Sequence, residues 1–253
     1  VPATIALIDG KIHVGLTMIE LEFVAHAKNP RKISRRDFGI ALAGSETGGT
    51  TVAGTLHAAH LAGIKVFATG GIGGVHRGTT YDISADLFEL SQTPLLVVCA
   101  GAKSILDLPA TLEVLETHGV PIIGYRTSEF PAFFSRTSGL PVTARCQSVE
   151  EISDIAQAHW DAGLNGAVLV VNPPPAKLAL KSHVIEKIIQ EAVKDAQREG
   201  IAGAALTPYL LDRVNSLTGG ASLKANLALL RCNARLAARI AKAMVKPIRW
   251  VSI

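Results

Sequence analysis

Several groups of side chains in this sequence are of types that do covalent or ionic chemistry. Lys103, in VVCAGAKSILDL, lies just beyond an apolar run, among small residues and ahead of a helix start. A lysine held against apolar walls near a positive helix N-terminus loses proton affinity and becomes a nucleophile able to form an imine. His76 and Arg77 sit in GGIGGVHRG, residues 70–78, where five of nine residues are glycine. After a strand, such a segment either makes a tight structural turn or cradles an anion with bared N–H groups. It is not a dinucleotide fingerprint, because the third glycine of G-x-G-x-x-G would fall on His76, nor does it carry the Gly-Lys-Ser/Thr of a P-loop. In YDISADLFEL, Asp82 and Asp86 are four apart with Ser84 between them. If helical, both carboxylates share a face and can hold a hard divalent cation with water in the other positions; the alternative is a helix start at which Asp82 caps exposed N–H groups. The basic stretch NPRKISRRD at 29–37 suits a phosphate or carboxylate ligand, or else a solvated turn.

The elements that must position these groups are legible from pattern. Short aliphatic runs recur at 3–8, 65–70, 95–100, 121–125 and 166–172, each bounded by Gly, Pro or a polar turn, as in strands buried on both faces. Helical patterns lie between them. Residues 50–62 run from threonine to a stop at Gly63; SILDLPATLEVLETHG is capped by Ser104 and stopped by Gly119; Ser148 with Glu151 forms a capping box for a helix ending at Gly163. This alternation predicts an α/β fold, a three-layer α/β/α arrangement around a central mixed sheet. After the PPP break at 173–175, helices over about 183–199 and 222–244 form a helical C-terminal layer on the same sheet. Nothing between the parts reads as a linker, so residues 1–253 form a single catalytic domain.

Bulk properties bound the function. The chain has 253 residues, 48% of them hydrophobic, 18% charged and only 5% aromatic, which gives an aliphatic core large enough for one α/β domain. A net charge of +4 is too small an excess to imply nucleic acid. Three widely spaced cysteines, Cys99, Cys146 and Cys232, suit reduced thiols in a cytoplasmic protein and cannot make a metal quartet. No apolar run of membrane-spanning length and no leader pattern is present, so no membrane partner is expected.

Taken in order, VPATIALIDGKIHVGL, KISRRDF, GGTTVAGT, GIKVFATGGIGGVHRG, DISADL, VVCAGAKSILDLPATLEVLETHGVPIIGY, EFPAFFSRTSGLPV, GLNGAVLVVNPPP and LTGGASLKANLALLRCNARLAARIA resemble the pseudouridine-5′-phosphate glycosidase family, also called indigoidine synthase A-like. The likeness implies reversible cleavage of the C–C glycosidic bond of pseudouridine 5′-phosphate to uracil and ribose 5-phosphate. It also implies a divalent metal, Mn²⁺, and a homotrimer. On the matching motifs, Lys103 is the nucleophile that forms the imine, with His76 and Asn226 polar groups near the reacting centre. Asp82 holds the metal, and Lys32, Val52, Thr69, Ser84, Ala85 and Asp86 bind the substrate, Lys32 at the phosphate and Val52 through its backbone. The glycine loop, with Thr69, would lay the sugar phosphate along the sheet edge beneath His76. Two departures stand out. The family's proton-donating glutamate belongs to an earlier strand-loop, whereas Val1 already lies inside VPATIA, so the chain is expected to lack that N-terminal strand; HRGTTYDIS is also shorter than the family's segment. The missing glutamate motivates a second reading, an inactive or truncated sugar-phosphate-binding homologue. A lysine-dependent lyase acting on another phosphorylated sugar ranks behind both.

Overall fold

A computed structural model of the chain describes residues 2–78, 82–201 and 203–245. The first unit runs β1 (Ile5–Ile8), β2 (Lys11–Val14), α1 (Met18–Ala25), β3 (Arg31–Ile33), α2 (Phe38–Ala43), β4 (Gly48–Thr50) and α3 (Val52–Leu61). Its four strands form a mixed sheet in the order β2-β1-β4-β3, with β1 antiparallel to both neighbours and β3 parallel to β4. The turn between β1 and β2 uses Asp9 and Gly10, both in the left-handed region (φ 48° and 70°), as a tight two-residue hairpin requires.

The second unit runs β5 (Val66–Ala68), β6 (Val75–His76), α4 (Ala85–Gln92), β7 (Leu96–Cys99), β8 (Leu106–Asp107), α5 (Leu108–Thr117), β9 (Ile122–Tyr125), β10 (Ala144–Cys146), α6 (Val149–Asp161) and β11 (Val168–Val171). Strands β10-β9-β11-β7-β5 make a sheet in which every pairing is parallel. The three inner strands, β9, β11 and β7, are buried along their whole length, which is why they read as unbroken aliphatic runs. Three helices follow: α7 (Ser182–Arg198), α8 (Leu206–Leu217) and α9 (Ala221–Met244). Leu236, Ala237 and Ile240 of α9 join the apolar cluster on one face of the sheet with Leu96, Val98, Val168 and Val170; Leu229 joins the cluster on the other side with Val97, Leu169 and Val171.

The α/β class and the flanking helices agree with the sequence, and the sheet needs one correction. The five-stranded sheet is parallel; the mixed pairing belongs to the separate first sheet, to which β1 goes. Its partner β4 is Gly48-Gly49-Thr50, whose lack of side chains hides it from hydrophobic pattern. Ser104 does not cap a helix. That helix starts at Leu108 with Asp107 as cap, whose side chain accepts from Ala110 N–H. A start at Ser104 would put Pro109 beyond the first turn, where its missing N–H and its ring break the ladder; in the first turn it is tolerated. Ser148 caps its helix as expected, with Oγ accepting from Glu151 N–H at 3.1 Å, but the reciprocal half of the box shifts by one residue: the Glu151 carboxylate accepts from Gln147 N–H at 2.9 Å. All three cysteines are free thiols. Among the described residues no helix is long and apolar enough to cross a membrane.

Candidate active site

Two loops leave the C-terminal ends of adjacent strands β5 and β7 and stay hydrogen-bonded to each other. Ala100 N–H donates to Gly70 O (2.9 Å), Ile72 N–H to Gly101 O (3.1 Å) and Lys103 N–H back to Ile72 O (3.1 Å). They then close into the β6–β8 ribbon, where His76 faces Leu106. The chain thereby sets His76 and Lys103 on paired stretches of backbone at the rim where parallel sheets hold ligands.

Lys103 is largely buried, and that burial is the main cause depressing its proton affinity below that of an ordinary lysine. Asp86 opposes the effect and Lys32 adds to it. His76 is half-buried and its proton affinity is also lowered, chiefly by burial, with Asp82 opposing and Lys103 and Lys32 reinforcing. At neutral pH the imidazole is therefore the uncharged form, able both to accept and to donate. Lys32, carried by β3 opposite Gly49, thus acts electrostatically on both groups. Its neighbours are occupied elsewhere: Arg31 pairs with Glu46 and Asp37, and Arg35 with the buried Glu89. Two of the stretch's four cations are thus paired with carboxylates, while Lys32 acts on the site by its electrostatics.

Asp86 has a different place from the one the helical pairing with Asp82 suggested. Ser84 caps α4, its Oγ accepting from Asp86 N–H, so Asp82 precedes the helix and does not cap it. Asp86 is 4% exposed, and both carboxylate oxygens are taken: Ala53 N–H donates to Oδ1 and Gly73 N–H to Oδ2, each at 2.8 Å. It pins the first turn of α3 to the glycine loop. Val52 opens that turn, capped by Thr51, whose side chain accepts from Gly54 N–H. Ala85 is the first residue of α4, beside Ser84.

Part of the glycine loop's backbone is likewise spent on structure. Ile72, Gly73 and Val75 N–H groups donate to Gly101 O, Asp86 and Thr111 Oγ1 respectively, and none of Gly70, Gly71, Gly73 or Gly74 has a left-handed φ. These glycines serve close approach. A Cβ on Gly73 would lie 2.2 Å from Ser84 Oγ, and one on Gly70 would lie 3.1 Å from Asn226 Oδ1, which sets Asn226 of α9 against the loop.

Asn233, one further pair of turns along α9, is fully buried, and sequence reading did not single it out. Its amide donates to Thr69 O at 2.8 Å and its carbonyl accepts from Asn172 at 3.1 Å, fastening the end of β5 to α9 and to the end of β11. Its spacing of seven from Asn226 on an otherwise aliphatic face was the available signal.

Asp82 is half-buried next to His76, whose N–H donates to the Asp82 carbonyl at 2.9 Å. Among the described residues no three His, Cys, Asp or Glu side chains gather as a metal cage. One hard carboxylate with its remaining positions given to water is how Mg²⁺ and its like are commonly bound, so Asp82 fits a largely hydrated cation. Thr79, Thr80 and Tyr81, in the shortened segment leading to it, lie outside the described residues.

The model of the indigoidine synthase A like protein family matches residues 1–243. This chain belongs to that family. It is 56% identical over 243 residues to a pseudouridine-5′-phosphate glycosidase of Caldanaerobacter subterraneus subsp. tengcongensis, covering 95% of this chain and 79% of the relative. With the enzyme of that name from Escherichia coli K12 it shares 54% over 245 residues, 96% of this chain and 78% of the other. The crystal structure of a prealnumycin C-glycosynthase in complex with ribulose 5-phosphate superposes with a TM-score of 0.90 at 45% identity, over 96% of this chain and 81% of that one. An indigoidine synthase A-like protein of Thermotoga maritima gives 0.88 at 39%, over 94% and 79%.

Proposed function

We propose that this family member is a pseudouridine-5′-phosphate glycosidase, cleaving the C–C bond between uracil and ribose 5-phosphate reversibly. The observation that carries the reading is identity above one half, sustained along 95% of the chain, with relatives bearing that name. The same likeness weighs against a non-catalytic homologue. A sugar-phosphate ligand also suits the neighbouring C-glycosynthase, which was crystallised with ribulose 5-phosphate.

In the mechanism we favour, Lys103 is the nucleophile. Its neutral amine adds to C1′ of the ring-opened sugar. The C1′–C5 bond then breaks, its electron pair staying on uracil C5, which takes up a proton, while the nitrogen lone pair closes the imine. Water hydrolyses the imine, releasing ribose 5-phosphate and the free amine. A carbon leaving group explains why paired carboxylates of the usual glycosidase kind are not the machinery. His76, neutral and on the strand paired with the stretch that follows Lys103, is suited to move a proton at the sugar, and Asn226 to hold a substrate hydroxyl or carbonyl by hydrogen bonds. Lys32 meets the phosphate, with Val52 N–H at the start of α3 adding to it. Thr69, Ser84 and Ala85 line the sugar. Asp86 acts through the two backbone segments that it joins. Asp82 holds the divalent metal, Mn²⁺ by family likeness, which when bound supplies positive charge against the substrate's oxygens.

A cytoplasmic setting suits the three free thiols. A homotrimer suits α1, where no residue is buried although Met18, Ile19 and Phe23 are apolar. The activity is tested by incubating the protein with pseudouridine 5′-phosphate and Mn²⁺. Uracil and ribose 5-phosphate should appear in equal amounts, and absence of both would overturn the reading.

A further inference from the structure

Arg77 follows His76 in the chain, and its guanidinium grips the turn beyond Lys103. Nε donates to Leu106 O and Nη2 to Ser104 O, both at 3.0 Å, while Nη1 and Nη2 form a forked pair with Glu186 of α7. Gln190 braces the same carboxylate at 3.2 Å. One side chain thus ties the lysine's turn to the strand that carries His76 and to the C-terminal helical layer.

The turn's backbone is also held by Lys103 N–H on Ile72 O and Leu106 N–H on Lys103 O, but within it one polar group is left over. Ser104 is 4% exposed, and its hydroxyl has no hydrogen-bond partner among the described residues. Without Arg77 two carbonyls would lose their charged donor beside that orphaned hydroxyl, so the backbone would rearrange to find water. Lys103 would move with it. Lysine at 77 offers a single point charge and cannot reach two carbonyls and a carboxylate in one plane.

We propose that Arg77 and Glu186 are positioning residues: a clasp that fixes the register of the Lys103 turn against His76 and thereby sets the approach of the amine to C1′. The proposal rests on Lys103 being the nucleophile. Substrate binding, placed on Lys32 and the first turn of α3 for the phosphate and on Thr69, Ser84 and Ala85 for the sugar, shares no hydrogen bond with the clasp and is expected to survive its loss.

The test compares Arg77→Lys and Glu186→Gln with the parent protein. Misplacing a reacting group by about an ångström costs on the order of 100-fold, so kcat should fall ~10–100-fold for Arg77→Lys and less for Glu186→Gln. The KM for pseudouridine 5′-phosphate should stay within about threefold, the pattern of an interaction that acts on the transition state. Amide hydrogen exchange should quicken at 103–107 and not in β7, β9 or β11. A cavity of about 430 Å³ lined by Arg77, Asp107, Leu108, Pro109, Ser138 and Leu140 opens onto the clasp, so methylguanidinium should partly restore kcat in Arg77→Ala. Unchanged kcat with unchanged exchange would overturn the clasp, as would a rise in KM with faster exchange throughout the sheet. If borohydride fails to trap sugar on Lys103 in the parent protein, the nucleophile assignment fails, while exchange at 103–107 still reports on the clasp itself.

Discussion

Burial makes Lys103 chemically useful and energetically expensive at once. Its folded-state proton affinity is depressed below the ordinary 10.5, so between the lowered value and 10.5 the unfolded chain binds more protons and stability rises with pH. Below the lowered value the full cost of burying a cation is felt. Lys103→Met should therefore abolish uracil release yet raise Tm at pH 7, by an increment that shrinks as pH approaches 10.5; thermal melts across pH 6–10.5 check this. Asp86 costs differently. Asp86→Asn would turn an N–H₂ toward one of two backbone donors, and loss of a buried charge-assisted bond predicts about 2–4 kcal/mol of destabilisation in urea titration. Activity should fall with it, since the two segments that Asp86 joins carry Val52 and the glycine loop. Asp82→Ala should instead leave Tm nearly unchanged and remove the response of uracil release to added Mn²⁺, followed by metal titration.

At the scale of elements, the glycine loop is a packing device. Gly73→Ala should cost activity and lower Tm, because its Cβ would meet Ser84 and Asp86 within 2.7 Å and no flexible tip is there to yield. Gly39→Ala, in α2 with nothing within 4 Å, should raise stability by ~0.5–1 kcal/mol through helix propensity alone. Paired melts separate the two. The strands β1, β5, β7, β9 and β11 were legible in the sequence because burial on both faces, or nearly so, leaves a continuous aliphatic run. The strands β3, β4, β6, β8 and β10 were not, since two or three residues, some glycine or charged, carry no period. Helix α8 went unread because Pro208 in its first turn resembles a break. Lys103 and His76 were found through local motifs and Lys32 through the family likeness, and the structure brings their charges within reach of one another. Asn233 and Glu186 were invisible because their partners lie 164 and 109 residues away, contacts that no local pattern encodes.

Among the described residues several large apolar side chains stand exposed, and α1 gathers three of them, Met18, Ile19 and Phe23. Met18 is 70% and Ile19 81% exposed, on a helix that the capping box of Thr17 with Glu20 opens and in which no residue is buried. If the trimer forms through this face, Ile19→Glu with Phe23→Glu should shift the sedimenting species from trimer to monomer in analytical ultracentrifugation. A species of unchanged size would place the interface elsewhere. The clasp of Arg77 on Glu186 gives the C-terminal helices a stake in the site as well as in the core of the parallel sheet.

The account stands most directly on a covalent bond at a single nitrogen. Incubating the protein with ribose 5-phosphate, reducing with borohydride and mapping the digest by mass spectrometry should find one reduced sugar phosphate, on Lys103, and none in Lys103→Met. Sugar on another lysine, or on none while uracil is still released, would contradict it.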